Sequence, residues 1–357
     1  MKNIAFLVYD ISLTGGAERV ALNLAEEFAK DYNTYLISLF KTNSYDAPKG
    51  YQTLFINEFM SSITSSFYTH SKKLKKCLLE HDIDILFVIT AGVVTVAVQA
   101  CHGTKVKTVY CEHSNLENRT YGKKHELRQL IGAKFSNLVV ALTERDRQNF
   151  IKNLKIKPNK VMAIPNWIDD LTTSEQEYSL DSKLIITAGR LESVKGHDML
   201  LKVAKIVKNA HPDWHWDIYG GGTLKEKLEK AASDSGLADF VSFKGNVSGI
   251  DKIYPEYSFF VLTSYYEGLP LVLLEAQKAK LPIVSFDCPT GPSEIVDNEQ
   301  NGFIVPAYNI DDMASAINTL IETPDKRLEF SKNAPKKLNR FDKASVKALW
   351  EEIINTL

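Results

Sequence analysis

Short apolar runs rich in β-branched and aromatic residues alternate with stretches of helical period along most of the chain. Such alternation is the signature of βα units that build parallel sheets. The runs predict strands at 4–9, 34–40, 83–89, 107–111, 138–141 and 161–164. Helix candidates lie between them, and the first is clear: Ala17, Val20, Ala21, Leu24, Ala25 and Phe28 recur on one face at 3.6 spacing. After Ile164 comes Pro-Asn and then a polar stretch, 169–182, with no apolar period, which reads as a linker. From Lys183 the pattern restarts, with strands predicted at 184–188, 214–219, 241–244, 259–263 and 282–286. The last segment, from about Asp342, puts Val346, Leu349, Trp350, Ile353, Ile354 and Leu357 on one stripe, a helix that must pack against something.

Two doubly wound, Rossmann-like halves of the α/β class follow, with ligands expected outside the carboxyl ends of the strands. The boundaries read as a first domain at 1–165, a linker at 166–182, a second domain at 183–340 and the terminal helix at 341–357. Composition agrees: 357 residues, 44% hydrophobic and 24% charged, exclude disorder, collagen and a coiled-coil rod. Four cysteines, Cys77, Cys101, Cys111 and Cys288, form no CxxC pair and read as free thiols of a reducing, cytoplasmic compartment. The opening MKNIAFLVYD has no small-residue cleavage site and reads as a first strand, not a secretory signal. The longest apolar stretch, 85–101, is broken by Thr90, Gly92, Thr95 and Gln99. It falls short of the roughly 20 apolar residues that span a bilayer.

Charge changes the picture more than composition does. Residues 1–165 carry 22 Lys+Arg against 15 Asp+Glu, and the remainder 21 against 29. The basic first half is expected to face something anionic. Its sharpest cluster is Lys72, Lys73, Lys75 and Lys76, either a solvated helix face or a contact to an anionic membrane surface.

Candidate chemistry concentrates at predicted strand ends. In YYEGLPLVLLEA, 265–276, Glu267 lies in a loop after an apolar strand, Pro270 suits the first helical position, and Glu275 follows within the helix. The amides of Leu271 and Val272 then form an anion site at the helix start. Two carboxylates eight apart suit a ligand with a phosphate between two hydroxyl-bearing rings; the alternative is a dipole-favouring Glu267 and a solvated Glu275. Gly189-Arg190 and Lys195-Gly196 follow the strand 184–188, where a glycine turn lets both cations reach a diphosphate, unless they are surface charges.

Thr14-Gly15-Gly16-Ala17-Glu18 is a Gly-rich turn between the first strand and helix, able to cradle an anion. GxGxxG is absent there, Lys225 breaks it after Gly220-Gly221-Gly222, and no GxxxxGK[ST] occurs, which disfavours nicotinamide dehydrogenases and P-loop NTPases. His113 ends the run 109–112 at a strand's carboxyl end. The remaining histidines have no metal-binding spacing, and Asp82-Ile83-Asp84, a DxD, lies at the amino end of its strand, so no metal site is expected.

In combination these pieces resemble the retaining glycosyltransferases of family 4, of bacterial polysaccharide and glycolipid type, with the GT-B fold. The matching elements are Gly15-Gly16-Ala17-Glu18, Glu112-His113-Ser114, Ile164-Pro165-Asn166-Trp167-Ile168-Asp169, Gly189-Arg190 with Lys195-Gly196, and Glu267 with Glu275, in the family's order. The resemblance implies two Rossmann-like domains facing across a cleft, with the last helix crossing back to the N-terminal, acceptor-binding domain. It implies a nucleotide-sugar donor on the C-terminal domain. Arg190 and Lys195 would hold the diphosphate, Glu275 the ribose hydroxyls and Glu267 the sugar hydroxyls. Backbone groups near Asn246 and Val247 would meet the base; Gly268 and Leu269, with the amides of Leu271 and Val272, complete the donor site. From the first domain, Gly16 would approach the phosphates and His113 the transferred sugar.

The implied reaction is metal-independent transfer with retention by front-face substitution, with no cofactor besides the donor substrate. Trp167 departs from the family, replacing a small residue. The segment 288–294, CPTGPSE, resembles members that build capsule, lipopolysaccharide or glycolipid chains, usually from UDP-hexoses or their N-acetylated forms. A glycan or polyprenyl-diphosphate-linked acceptor would suit the basic half, and the enzyme would be cytoplasmic, peripheral on the inner face of the plasma membrane where the lysines dock. The competing readings are a UDP-sugar epimerase of the same fold and a catalytically silent sugar-nucleotide-binding subunit; nucleic acid is not an expected partner.

Overall fold

A computed structural model describes residues 1–12, 16–43, 50–59, 62–63, 65–168 and 177–357. The chain divides into two compact units, Met1–Pro165 with Ala348–Leu357, and Asn166–Lys347.

Unit 1 runs β1 (Asn3–Asp10), α1 (Gly16–Phe28), β2 (Asn33–Phe40), β3 (Gln52–Phe55), α2 (Phe67–Glu80), β4 (Ile85–Ile89) and α3 (Ala91–Cys101). It continues through β5 (Lys107–Glu112), α4 (Lys123–Phe135), β6 (Leu138–Ala141), α5 (Glu144–Asn153) and β7 (Val161–Ala163). The strands form one sheet in the order β3-β2-β1-β4-β5-β6-β7, and every pairing is parallel. Strand order therefore reverses between β1 and β4, the switch point of a doubly wound sheet.

Unit 2 repeats the plan with β8 (Leu184–Ala188), α6 (His197–Ala210), β9 (His215–Tyr219), α7 (Lys225–Asp234), β10 (Val241–Gly245), β11 (Phe259–Leu262) and α8 (Leu271–Lys278). There follow β12 (Ile283–Phe286), α9 (Pro292–Ile295), β13 (Gly302–Val305), α10 (Ile310–Glu322) and α11 (Pro324–Asn333). The last helix, α12 (Lys343–Thr356), starts in unit 2 and ends in unit 1. The parallel sheet of unit 2 is ordered β10-β9-β8-β11-β12-β13, with the reversal between β8 and β11.

Hydrophobic burial explains why the predicted strands form, since β4 and β6 are buried at every position. The exceptions are two of the four edge strands. β3 and β13 escape the sequence reading because β3 has no buried position and β13 is a four-residue strand that opens on Gly302. The predicted strand 83–89 begins at Ile85; Asp84, just ahead of it, gives its amide to the Asn3 carbonyl and accepts the Lys107 amide, both at 2.8 Å.

In unit 1, one face of the sheet carries Phe6 stacked on Phe87 (centroids 5.1 Å apart). Trp350 of α12 meets Phe87 edge-on at 5.6 Å, and Lys2 Nζ reaches the Ile354 carbonyl at 2.5 Å, which anchors the end of the chain. On the opposite side α2, α3 and α4 share a core with β4 and β5. Unit 2 is centred on Trp216, whose Nε1 donates to Thr187 Oγ1 at 3.0 Å. Of the segment 166–182, residues 169–176 lie outside the described residues. Ile168 pairs with the backbone of Phe341 at 2.9 Å, and Trp167 takes the Lys343 ammonium over its ring at 5.6 Å. No helix among the described residues is long and apolar enough to cross a membrane.

Candidate active site

The strand order of unit 2 creates its site. β8 and β11 are neighbours although β9, β10 and two helices separate them in sequence, so the loop after Ala188 meets the loop after Leu262. Arg190 and Lys195 come from the first loop and Glu267 from the second. Lys195 Nζ lies 2.6 Å from Glu267 Oε1, which also accepts the Ser264 hydroxyl at 2.7 Å. Glu267 is 9% exposed, so the pair is strongly felt.

Two glycines permit these turns. Gly196 has φ +63°, and a Cβ there would stand 2.1 Å from the Thr263 carbonyl oxygen. Gly220, at φ +135°, would place a Cβ 1.9 Å from the Gly189 carbonyl oxygen. The turn was expected at Gly189, but Gly189 has no positive φ, and a Cβ there would meet only the Lys195 stem, at an ordinary contact distance of 3.8 Å. His197 supports the same loop, its Nε2 3.3 Å from the Arg190 carbonyl, and burial pushes its ring down to about 4.

The Glu267 loop is braced by the segment 288–291. Glu267 N donates to the Pro289 carbonyl (2.6 Å), Thr290 N returns a bond to the Glu267 carbonyl (2.8 Å), and Thr290 Oγ1 reaches the Gly268 carbonyl (3.3 Å). Gly291 is required because a Cβ would stand 2.4 Å from the Gly268 oxygen. Gly268 and the buried Leu269, expected in the donor site, pack against this segment, and Pro270, expected as the first helical residue, caps α8, which starts at Leu271. Leu271 and Val272 supply the first amides of α8, whose orphan donors favour an anion.

Beside these loops lies a cavity of about 230 Å³ that brings together Arg190, Asn246, Val247, Val272 and Glu275. Lys195, Glu267, Gly268, Leu269 and Leu271 lie outside its lining. Gly220, Tyr219, Ile250 and Tyr254 also line it, and sequence reasoning missed them. No sequence signal marks Tyr254, which sits in a polar segment; its hydroxyl lies 3.4 Å from Glu275 Oε2. The Arg190 guanidinium is exposed and has no ion-pair or hydrogen-bond partner among the described residues. The volume is below the ~300–1,000 Å³ of a complete small-molecule site.

In unit 1, His113 directly follows β5. Both ring nitrogens are buried without a protein partner, and burial pushes the ring down to about 4, against the pull of the Glu112 charge, so it is neutral near pH 7. Glu112 is itself held by the Tyr110 hydroxyl, by Ser114 N (2.9 Å) and Oγ (2.6 Å), and by Gln129 Nε2 (2.9 Å). Gly16 opens α1, and a Cβ added there would meet nothing within 4 Å, whereas Thr14 and Gly15 lie outside the described residues. At the end of β1, burial opposes the charge on Asp10, but hydrogen bonds from Ser12 and Thr42 outweigh it and hold the carboxyl below its ordinary value. Among the described residues no group of three His, Cys, Asp or Glu is placed to hold a metal; Asp84 of the DxD accepts the Asn3 amide at 2.8 Å.

Each unit is a doubly wound parallel sheet of the α/β class, and in unit 2 the loops that carry Arg190, Lys195 and Glu267 meet where the strand order reverses. Sequence models described as "Glycosyltransferase Family 4" and "Glycosyl transferases group 1" match residues 14–170 and 171–337. The chain belongs to the bacterial glycosyltransferases of the GT-B type. It is 29% identical over 333 residues to an uncharacterized glycosyltransferase of Haemophilus influenzae, covering 93% of this chain and 94% of that one. It is 24% identical to an N-acetylgalactosaminyltransferase of Campylobacter jejuni whose name specifies an undecaprenyl-diphosphate-linked saccharide, covering 99% and 98%. Among solved structures, Anabaena HepE in complex with UDP and glucose superposes with a TM-score of 0.83 at 19% identity over the full length of both chains, and shares the GT-B fold.

Proposed function

We propose that this glycosyltransferase moves a hexose or N-acetylhexosamine from a UDP-sugar, with retention, to a saccharide or polyprenyl-diphosphate-linked acceptor in cell-surface polysaccharide synthesis. The observation that carries the donor half is the cavity of unit 2, where apolar Val247, Ile250 and Val272 adjoin Glu275 and Arg190. Apolar walls suit a base, Glu275 the ribose hydroxyls, and Arg190 a phosphate beyond them. The HepE complex with UDP and the lipid-linked substrate in the Campylobacter name support the donor and acceptor classes.

In the proposed reaction the bond from the anomeric carbon to the diphosphate breaks as a bond to the acceptor oxygen forms on the same face, and the acceptor's proton passes to the departing phosphate. Negative charge grows on the diphosphate. Arg190, Lys195 and the first amides of α8 would stabilise it, and these cations would take the part that a divalent metal plays elsewhere. Glu267 would hold the sugar hydroxyls, Gly16 would approach the phosphates, and the neutral imidazole of His113 would hydrogen-bond the transferred sugar. Lys72, Lys73, Lys75 and Lys76 would add a peripheral contact to an anionic membrane.

The test is a thermal-shift series with UDP, GDP and ADP, in EDTA, on the wild type, Arg190→Ala and Glu275→Ala. At 100 times its dissociation constant a nucleotide stabilises by about 2.7 kcal/mol. UDP should stabilise the wild type alone. Equal shifts in all three proteins, or none, would overturn the donor site; NMR of the product anomer then tests retention.

A further inference from the structure

The loops that carry Lys195 and Glu267 meet a second time, apart from that ion pair. Tyr265, two positions before Glu267, donates its backbone amide to the Val194 carbonyl and its phenol to Asp198 Oδ2, both at 2.8 Å. Val194 and Asp198 stand on either side of Lys195 in sequence, so one residue holds both ends of the lysine turn. Asp198 lies in the first turn of α6, where the helix dipole favours a negative charge. Burial, and then the bond to Asp198, push the Tyr265 phenol up to about 12, so it stays a donor near pH 7.

A second tyrosine backs the first. Tyr308 follows β13 and stands just before Asn309, the cap of α10. Its hydroxyl donates to the Tyr265 carbonyl at 2.7 Å, and the two rings lie 5.4 Å apart at a tilt. Phe286, at the end of β12, meets the Tyr308 ring edge-on at 6.2 Å. The Tyr308 backbone sits at φ +67°, in the left-handed region that bulky residues seldom enter. Tyr308 is 40% exposed, so core packing does not impose that turn; what the turn achieves is to bring the phenol back onto the Tyr265 loop.

We infer that Tyr265 is a positioning residue for the transfer: bonded to Asp198 on one side and to Tyr308 on the other, it keeps Glu267 in place when a donor diphosphate takes Lys195. The inference rests on the reading that Glu267 faces the donor sugar. The ion pair of Lys195 with Glu267 is the contact that a diphosphate would contest. The bonds of Tyr265 go to the Val194 carbonyl, to Asp198 and to Tyr308, none of which that donor engages, so they persist while the ion pair opens. Ser264, next to Tyr265, donates its hydroxyl to Glu267 at 2.7 Å, so a shift of Tyr265 passes directly to the carboxylate. Tyr265 lies outside the lining of the donor cavity and acts through Glu267.

UDP release from UDP-glucose, UDP-galactose, UDP-N-acetylglucosamine and UDP-N-acetylgalactosamine, with water in the acceptor's place, tests it on the full chain beside calorimetric UDP affinity and melting temperature. Tyr265→Phe keeps the ring and the amide and loses only the phenol. Its kcat should fall about tenfold, within the roughly 100-fold that a 1 Å misplacement at a reacting centre can cost, while UDP affinity and melting temperature hold. Asp198→Ala should lose as much, and the two changes together no more than either alone. Asp198→Asn keeps an acceptor for the phenol and should restore most of the loss. Unchanged kcat in Tyr265→Phe and Asp198→Ala, or losses that multiply in the double variant, would overturn the inference. So would a fall in melting temperature or UDP affinity in proportion to the rate, which marks a purely structural contact. Glu267→Gln tells the two readings apart. Turnover lost there but kept in Tyr265→Phe removes the positioning role alone; turnover kept in Glu267→Gln, or no release from any of the four sugars by the wild type, removes the role of Glu267 and this inference with it.

Discussion

Lys195 and Glu267, 72 positions apart, meet at 2.6 Å because β8 and β11 are adjacent in the sheet. The site thus carries its own counter-ion. In the proposed reaction a donor diphosphate that engages Lys195 would compete with Glu267 and release it toward the sugar. Glu267→Gln should therefore bind UDP at least as tightly as the wild type while turnover falls about 100-fold or more, as expected when an electrostatic group at the reacting centre is lost. Calorimetric UDP titration beside steady-state kinetics separates the two effects. Loss of both in parallel would mean the pair is structural.

Lys195→Met should act on stability as well. It leaves a carboxylate of 9% exposure without its cation, a defect worth on the order of 3 kcal/mol. Urea unfolding reads it. Lys195→Met with Glu267→Gln should recover most of that loss, since the uncompensated charge is gone.

Gly220→Ala and Gly16→Ala should part company. The first forces a Cβ to within 1.9 Å of the Gly189 oxygen at φ +135°, so the Arg190 loop must move, and both melting temperature and UDP binding should fall. At Gly16 a Cβ meets nothing within 4 Å, so stability should be unchanged. A fall in kcat/KM for Gly16→Ala at constant melting temperature would place the donor near the start of α1.

Asp146 gives unit 1 a pH dependence. Burial raises its carboxyl to about 7, with backbone hydrogen bonding from Leu116 opposing and the Glu112 charge adding to the rise. The native state therefore holds a proton that the unfolded chain releases near pH 3.8, so this contribution to stability falls as pH rises toward and through 7. Asp146→Asn keeps the acceptor for Leu116 N (3.0 Å) without the charge. The stability gap between variant and wild type should widen from about pH 5 to about pH 8 in paired thermal melts.

Tyr254→Phe tests the residue that no motif marked. Its hydroxyl is 3.4 Å from Glu275, a long bond, so UDP affinity should fall less than tenfold, well short of the loss in Glu275→Ala. Fluorescence titration with UDP distinguishes them. Equal losses would make Tyr254 the main holder of the nucleoside.

Whatever depends on local order is legible in the residues alone. Apolar runs of period two or without interruption form the buried strands, the 3.6 stripe of the last helix buries Val346, Trp350, Ile353 and Ile354, and the loop-to-helix step after Leu262 delivers Glu267 and Glu275. β3 and β13 are not legible, because β3 has no buried position and β13 opens on glycine and is half-buried at its centre, whereas the other two edges, β7 and β10, follow apolar runs. The partnerships belong to the folded chain. Strand order is set by how helices cover both sheet faces, so it alone could seat Lys195 on Glu267, Tyr254 on Glu275 and the 288–291 segment beneath Gly268. The same holds for α4, whose inward face is chosen by the close approach of Gly132 to Tyr110, against its own hydrophobic pattern.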